Sequence, residues 1–186
     1  MSNPQPNIPP NSRNALRQHA LGALSAAIDK NPTSIADTIA DPWVKDLVAG
    51  TLRAYSRLEW VIDAHALKKK PSGAIRKKLA LATYQLLFQT RQAVPERIVS
   101  ETVSWVKDSE GESASKFANA VLRKIATERA RWRDHLELGD ADWIRAASLP
   151  DWIARPLEKA KGREWAARYG MYSMERPSNW IRTKAG

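Results

Sequence analysis

Apolar residues recur at helical spacing from the first part of the chain onward. Leu16, Ala20, Leu24 and Ile28 follow one another at every fourth position, which is the spacing of one helix face directed at a core. Ser12 precedes this run and is of a residue type that caps helices. The pattern predicts a first helix that begins just after Ser12.

Asp41 and Pro42 resemble an N-cap followed by proline at the first helical position, which predicts a second helix start. A single long helix is expected from there, since apolar residues keep a helical spacing through Val44, Leu47, Val48, Thr51, Leu52, Tyr55 and Leu58 and continue less regularly to Val61 and Ile62. Gly50 lies within this run and costs about 1 kcal/mol relative to alanine in a helix. We therefore expect another helix to pack closely against Gly50.

Further helices are predicted on both sides of Pro95, which fits the first position of a helix. The preceding helix carries an apolar stripe from Ile75 to Leu87, and Gly111 marks the loop after the Pro95 helix. The last helix of this region directs Phe117, Val121, Leu122 and Ile125 inward. Because strand alternation is not seen within residues 11–135, the fold class predicted is all-α.

The texture changes in the last quarter of the chain. From Ser148 we expect two short helices, broken at Pro156 or at Gly162, and then a segment RPSNWIRTK with the features of an edge strand. The predicted organisation is a disordered leader over residues 1–10, a main helical domain over 11–135 and a linker over 136–186.

Positive charge is the strongest compositional feature. The chain has a net charge of +10, and its first 135 residues hold 21 cations against 13 acids. A positive surface of this size attracts polyanions, although solubility alone also explains a charged surface. We favour nucleic acid because six cations are concentrated between Leu67 and Leu79. This group, the basic corner, consists of Lys68, Lys69, Lys70, Arg76, Lys77 and Lys78.

The residues predicted to bind RNA are cations positioned to contact phosphate. Arg13 and Arg17 lie one turn apart near a positive helix start, where an anion would relieve their repulsion. The full predicted set is Arg13, Arg17, the six members of the basic corner, Arg123 and Lys124. Eight tryptophans offer rings for base stacking, but Trp60, Trp105 and Trp132 are expected to pack in or beside the core.

The sequence offers little that indicates catalysis. It has no cysteine and therefore no thiol nucleophile or thiolate ligand. Its eight glycines do not form a G-x-G-x-x-G loop, and its three histidines lack metal-ligand spacing. We expect no cofactor and no metal in this chain. The start lacks a signal peptide, and an apolar run of bilayer length is not found, so we expect a cytoplasmic protein.

Several stretches resemble the NusB-like family, notably GTLRAYSRLEWVIDAHALKKKPSGAIRKKLALATYQLLF, VPERIVSETVSWVKD and KFANAVLRKI. The resemblance covers about residues 11–130. NAVLRKI, and LPDWI and RYG in the tail, are most similar to the N-terminal part of bacterial ribosomal RNA cytosine-5 methyltransferases of the RsmB or Sun type. Thr183 and Lys184 depart from that pattern, where valine and asparagine are usual.

The resemblance implies a NusB-like helical bundle with a short helical C-terminal linker, and a role in docking ribosomal RNA. In that family the catalytic part uses S-adenosylmethionine and cysteine nucleophiles, so no catalytic residue is carried over to this chain. An attached or partner methyltransferase, or a ribosomal protein, is the partner implied. Two alternatives remain open: a free-standing NusB-type transcription antitermination factor, and a helical protein–protein module that is basic only for solubility.

Overall fold

The computed structural model describes residues 10–30, 39–66, 70–71, 73–89, 94–139 and 142–175, apart from the side chains of residues 10–13 and 30. These residues form helices and connecting turns, which confirms the all-α prediction. The helices are α1 Pro10–Lys30, α2 Pro42–Arg53, α3 Tyr55–His65, α4 Gly73–Phe88, α5 Pro95–Glu110, α6 Glu112–Thr127, α7 Arg129–Asp134, α8 Trp143–Ala146, α9 Asp151–Lys161 and α10 Arg163–Ser173. They are divided between two compact units, Met1–His135 and Leu136–Gly186.

Local signals place several helix ends correctly. The Asp41 side chain accepts a hydrogen bond from the Val44 N–H at 2.9 Å, and Pro42 is the first residue of α2. Pro95 begins α5, and Gly111 separates α5 from α6 with a φ of 87°. These predictions are confirmed, and each depends on a residue whose backbone or side chain determines a helix end within one turn of its own position.

Two predictions about helix limits are wrong. The first helix does not begin just after Ser12, because α1 already begins at Pro10. The long helix predicted from Pro42 is two helices, since the chain leaves the helical conformation at Ala54, which has ψ 9°. The apolar spacing continues across Ala54, so periodicity alone gives no sign of this break.

Helix α4 is the centre of the first unit and contacts every other helix in it. Its residues from Lys78 to Leu87 are all buried, so it is enclosed on every side rather than along one stripe. The close approach expected at Gly50 is confirmed, because a Cβ there would lie 2.0 Å from the Tyr84 ring of α4. Side chains that extend from α4 therefore reach several neighbouring helices.

The second unit is built from α8, α9 and α10 around a small core of Trp143, Ala147, Leu149, Ala154, Ala166 and Ala167. Gly162, with a φ of 85°, separates α9 from α10, whereas Pro156 lies inside α9. Of the two breaks considered from the sequence, Gly162 is therefore the one that occurs. The proposed edge strand and residues 1–9 of the proposed leader lie outside the described residues.

Candidate nucleic-acid interface

The described cations of the basic corner form ion pairs with acids of the same unit. Arg76 is anchored from three sides: its Nε donates to the Pro71 carbonyl at 2.8 Å, and its two terminal nitrogens lie 3.0 Å from Asp63 and 3.3 Å from Glu59. Only 17% of its side chain is exposed. Arg76 therefore ties the start of α4 to α3.

Lys77 and Lys70 also have acidic neighbours. The Nζ of Lys77 lies 2.8 Å from Asp29 on α1, and its side chain is 15% exposed. Lys70 is 68% exposed and lies 3.7 Å from Asp63, which makes its ion pair loose and solvated. Lys68 and Lys69 lie outside the described residues. Of the four described cations of the corner, Lys70 is the most accessible to a phosphate.

Lys78 is the most deeply buried member of the corner, at 2% exposure. Its ammonium group lies 2.8 Å from Glu110 and also donates to the Ser109 hydroxyl. The same Nζ lies 5.2 Å from the centroid of the Trp105 ring, within cation–π range. Lys78 thus joins α4 to the last turn of α5, and in this conformation its charge is directed at protein.

The α1 arginines give a similar result where they can be described. Arg17 is buried and donates to Glu101 on α5, and Glu101 also accepts from Arg97 at 2.9 Å. Burial raises the pKa of Glu101, but the hydrogen bonds and charges of Arg97 and Arg17 lower it by more, so its pKa lies below the ordinary value. The side chain of Arg13 lies outside the described residues.

Exposed cations are concentrated instead at the end of α6 and along α7. Five cations and two acids lie between Arg123 and Asp134, and all five cations are exposed. We call them the α6–α7 basic segment: Arg123, Lys124, Arg129, Arg131 and Arg133. Lys124 and Arg129 form no ion pair with any residue that the structure describes. Arg131 is 65% exposed and lies 3.6 Å from Glu128, a distance typical of a weak surface pair.

Arg123 is hydrogen-bonded to a polar neighbour on the same helix. Its Nε donates to the Asn119 side-chain oxygen at 3.0 Å, one turn earlier on α6. Asn119 is half-buried, and this bond supplies the partner that a polar group in such a position needs. The Arg123 guanidinium keeps further donors available to a ligand.

An open groove of about 920 Å³ runs along the outer surface of the α5–α6 pair. One side carries Ser100, Ser104 and Lys107 of α5, and the other carries Lys116, Asn119 and Arg123 of α6. Glu112 lies near one end and is 2.9 Å from Lys107. The groove was not predicted from the sequence, although the spacing of its α5 hydroxyls at positions 100 and 104 places them on one helix face.

Arg57 is a second feature that the sequence did not predict. Its guanidinium is completely buried, and one terminal nitrogen donates to the carbonyls of Trp132, Arg133 and His135 at 2.5, 3.2 and 2.8 Å. Burial lowers the pKa of Arg57 to about 10, so it stays charged at neutral pH. Since a cation at a helix C-terminus satisfies carbonyls without partners, Arg57 stabilises the end of α7.

The tryptophans expected in or beside the core are buried. Trp60, Trp105 and Trp132 are each less than 10% exposed, and Trp60 and Trp132 meet edge to face with ring centroids 5.2 Å apart. Base stacking by these three rings would require them to leave the core. Trp60 and Trp132 instead pack α3 against α7, which carries three of the exposed cations.

Comparison with known proteins places the chain among NusB-like modules. A model of the NusB family matches residues 11–127. The chain is 27% identical over 143 residues to the ribosomal RNA small subunit methyltransferase B of Cronobacter sakazakii. The aligned region covers 75% of this chain and 31% of that relative. The protein of the same name from Salmonella typhi is 24% identical over 143 residues, with the same coverage.

The resemblance inferred from sequence is thus confirmed, while the chain spans less than a third of the length of these curated relatives. None of the helices in the described part of the chain is both long enough and apolar enough to cross a membrane.

Proposed function

The chain belongs to the NusB family, and we propose that it is an RNA-binding module that holds ribosomal RNA for a methyltransferase. The relatives named above are ribosomal RNA methyltransferases, and the matched region is 31% of their length. The methyl transfer, and the binding of S-adenosylmethionine, belong in this proposal to a separate catalytic part. The sequence has no cysteine, so cysteine-based attack on a base does not come from the residues of this chain.

The observation that carries the proposal is the exposure of the α6–α7 basic segment. Its five cations are in contact with solvent, and three of them, Arg123, Lys124 and Arg129, form no ion pair within the described structure. Such cations bind phosphates at little cost, because no internal pair has to be broken first. Binding also releases the counterions condensed on the nucleic acid, which favours association at moderate salt.

These contacts would fix the position of RNA without reading its sequence. Phosphate contacts supply affinity and orientation, whereas sequence is recognised through base edges. A module of this kind therefore suits a protein whose target is selected by a second, catalytic part. The cations of the basic corner, Arg13 and Arg17 remain predicted RNA contacts, but those that are described would first have to exchange an internal acidic partner for phosphate.

Membership of the NusB family is common to this proposal and to the transcription antitermination alternative, and the relatives named above favour the methyltransferase branch. They carry the name ribosomal RNA small subunit methyltransferase B at 24–27% identity. A ribosomal protein as partner belongs to the alternative. It would be detected as a stable complex that forms without a methyltransferase.

The test is the salt dependence of RNA binding. A triple variant with Arg123→Gln, Lys124→Gln and Arg129→Gln removes three exposed cations. It should make the fall of log K with log salt less steep, reducing the magnitude of the slope by about 2, given ~0.7 per phosphate for a single strand. Binding of a labelled ribosomal RNA fragment would be measured by fluorescence anisotropy at several salt concentrations.

The matched control is Lys45→Gln, Lys159→Gln and Lys161→Gln, which removes three exposed cations outside the segment. It should change the slope by less than one unit. Equal effects in the two triple variants would show that net charge alone drives binding. Absence of RNA binding by the unmodified chain at physiological salt would refute the proposed function.

A further inference from the structure

The α5–α6 groove has two chemically different sides. Ser100, Ser104 and Lys107 follow one another at spacings of four and three residues on α5, so they share one face. Lys116, Asn119 and Arg123 do the same on α6 at spacings of three and four. Two hydroxyl groups and Lys107 on one side thus face an amide and two cations on the other, and the two helices are joined at Gly111 and pack against each other.

The charge of the groove favours an anionic occupant. Its lining contains the cations Lys107, Lys116, Arg123 and Arg129 against the acids Glu96 and Glu112. Glu112 lies between Lys107 at 2.9 Å and Lys116 at 3.9 Å, so the acid at that end is already neutralised. Towards the other end the groove joins the α6–α7 basic segment through Arg123 and Arg129.

The shape of the groove restricts which anion can follow it. Packed helices have axes about 8–10 Å apart, so the groove between them admits a single extended strand and is too narrow for a nucleic-acid duplex. A partner helix would need an apolar groove for anchors at i, i+3, i+4 and i+7. Here Val99 is buried, and the other apolar lining residues are one proline, one valine and two alanines, so about half of the exposed lining is polar and no large apolar side chain is present to receive such anchors.

We propose that the α5–α6 groove binds a single-stranded segment of RNA, with its ribose–phosphate backbone lying between the α5 hydroxyls and the α6 cations. This inference rests on the RNA-binding function proposed above and adds a path for the strand. Arg123 and Lys116 pair with phosphates, since guanidinium and ammonium groups form charge-assisted hydrogen bonds to them. Ser100 and Ser104 both donate and accept, as the ribose 2′-hydroxyl does, so they are suited to contact RNA rather than DNA.

A single substitution in the groove tests this path. Ser104 is exposed and is not part of the basic segment, so Ser104→Glu introduces one negative charge without removing a cation. We expect it to weaken binding of a fluorescent oligouridine of about 12 nucleotides by about tenfold, through repulsion of the phosphates in the groove. The matched control is Ala160→Glu, which adds the same charge at an exposed position of α9 that does not line the groove. It should change the affinity by less than about threefold.

Binding of an RNA duplex of similar length is measured beside the oligouridine, and circular dichroism checks that each variant is helical. If Ser104→Glu is misfolded, Ser100→Glu replaces it, with the same expected result. Equal losses in Ser104→Glu and Ala160→Glu, or equal losses for single strand and duplex, would overturn the groove assignment.

An unchanged affinity of Ser104→Glu would also overturn it, leaving RNA binding intact and a protein helix as the occupant to seek. If the unmodified chain binds neither RNA, the groove assignment and the proposed function both fail.

Discussion

The basic corner and the α6–α7 basic segment have similar numbers of cations but use them differently. In the corner, Arg76, Lys77 and Lys78 are at most 17% exposed, and each forms an ion pair with an acid on another helix. In the segment all five cations are exposed, and the nearest acids belong to the same short stretch of chain. The density of positive charge in a sequence therefore does not indicate how much of it is available to a ligand.

The difference follows from the position of each region in the fold. The corner begins α4, the helix that contacts every other helix of the first unit, so its side chains meet acids from α1, α3 and α5. The segment lies on α6 and the short α7, which have an open side. A cation in the corner is thus expected to contribute mainly to stability, and a cation in the segment mainly to binding.

Lys78→Ala should give the largest effect, because Lys78 is 2% exposed and its aliphatic chain packs in the core. The substitution removes that packing and the ion pair with Glu110, and we expect a loss of about 2–4 kcal/mol in the free energy of unfolding. Urea denaturation followed by circular dichroism measures it. Lys124→Ala is the matched control and should change stability by less than about 0.5 kcal/mol.

A Lys78→Ala protein that keeps its stability but loses RNA affinity would contradict the distinction between the two regions. It would mean that Lys78 leaves the protein interior to contact phosphate. The original prediction of an RNA-binding corner would then be supported at its most buried position.

The sequence predicted the helices more reliably than the environment of their charges. Pro42, Pro95 and Gly111 mark helix ends because proline and glycine restrict or free the backbone at their own position. The break at Ala54 was missed because alanine carries no such signal. The full burial of α4 was missed as well. Its apolar stretch ALATYQLLF is compatible both with a helix that has one apolar face and with a helix enclosed on all sides.

The ion pairs were beyond prediction because their partners are distant along the chain. Arg17 and Glu101 are separated by 84 residues, and Lys77 and Asp29 by 48. The sequence from residue 68 to residue 78 contains six cations and no acid. The fold nevertheless brings an acid to each described cation of the corner. Exposure of Arg123 and Lys124, in contrast, follows from their position on the polar face of α6, which the apolar spacing of Val121, Leu122 and Ile125 already defines.

Arg17 extends the comparison to α1, since its ion pair should make part of the stability depend on pH. The pKa of Glu101 is lowered in the folded state by Arg97 and Arg17. A carboxylate with a lowered pKa stabilises the fold above its unfolded pKa, and this contribution disappears as the pH falls through the folded pKa. Glu101→Gln should therefore cost about 1 kcal/mol at pH 7 and progressively less below the ordinary glutamate pKa.

Urea unfolding of both proteins between pH 7 and pH 3 measures this difference. Glu175→Gln, at an exposed position after α10, serves as the control and should change the free energy of unfolding by less than about 0.5 kcal/mol. A constant penalty for Glu101→Gln at all pH values would show that the carboxylate charge is not what Arg17 and Arg97 recognise.

The smallest expected effect comes from making the same substitution, lysine to glutamine, once in each region. Lys70 is the most exposed described cation of the corner and has Asp63 3.7 Å away, whereas Lys124 in the segment has no ion pair with the described residues. For single-stranded RNA, Lys124→Gln should reduce the magnitude of the slope of log K against log salt by about 0.7, which is the contribution of one phosphate. Lys70→Gln should leave the slope almost unchanged. Both variants should unfold within about 0.5 kcal/mol of the unmodified chain. Loss of a phosphate contact by an exposed lysine is the direct source of such a slope change. A larger change for Lys70→Gln than for Lys124→Gln would therefore mean that the RNA contacts the corner rather than the segment.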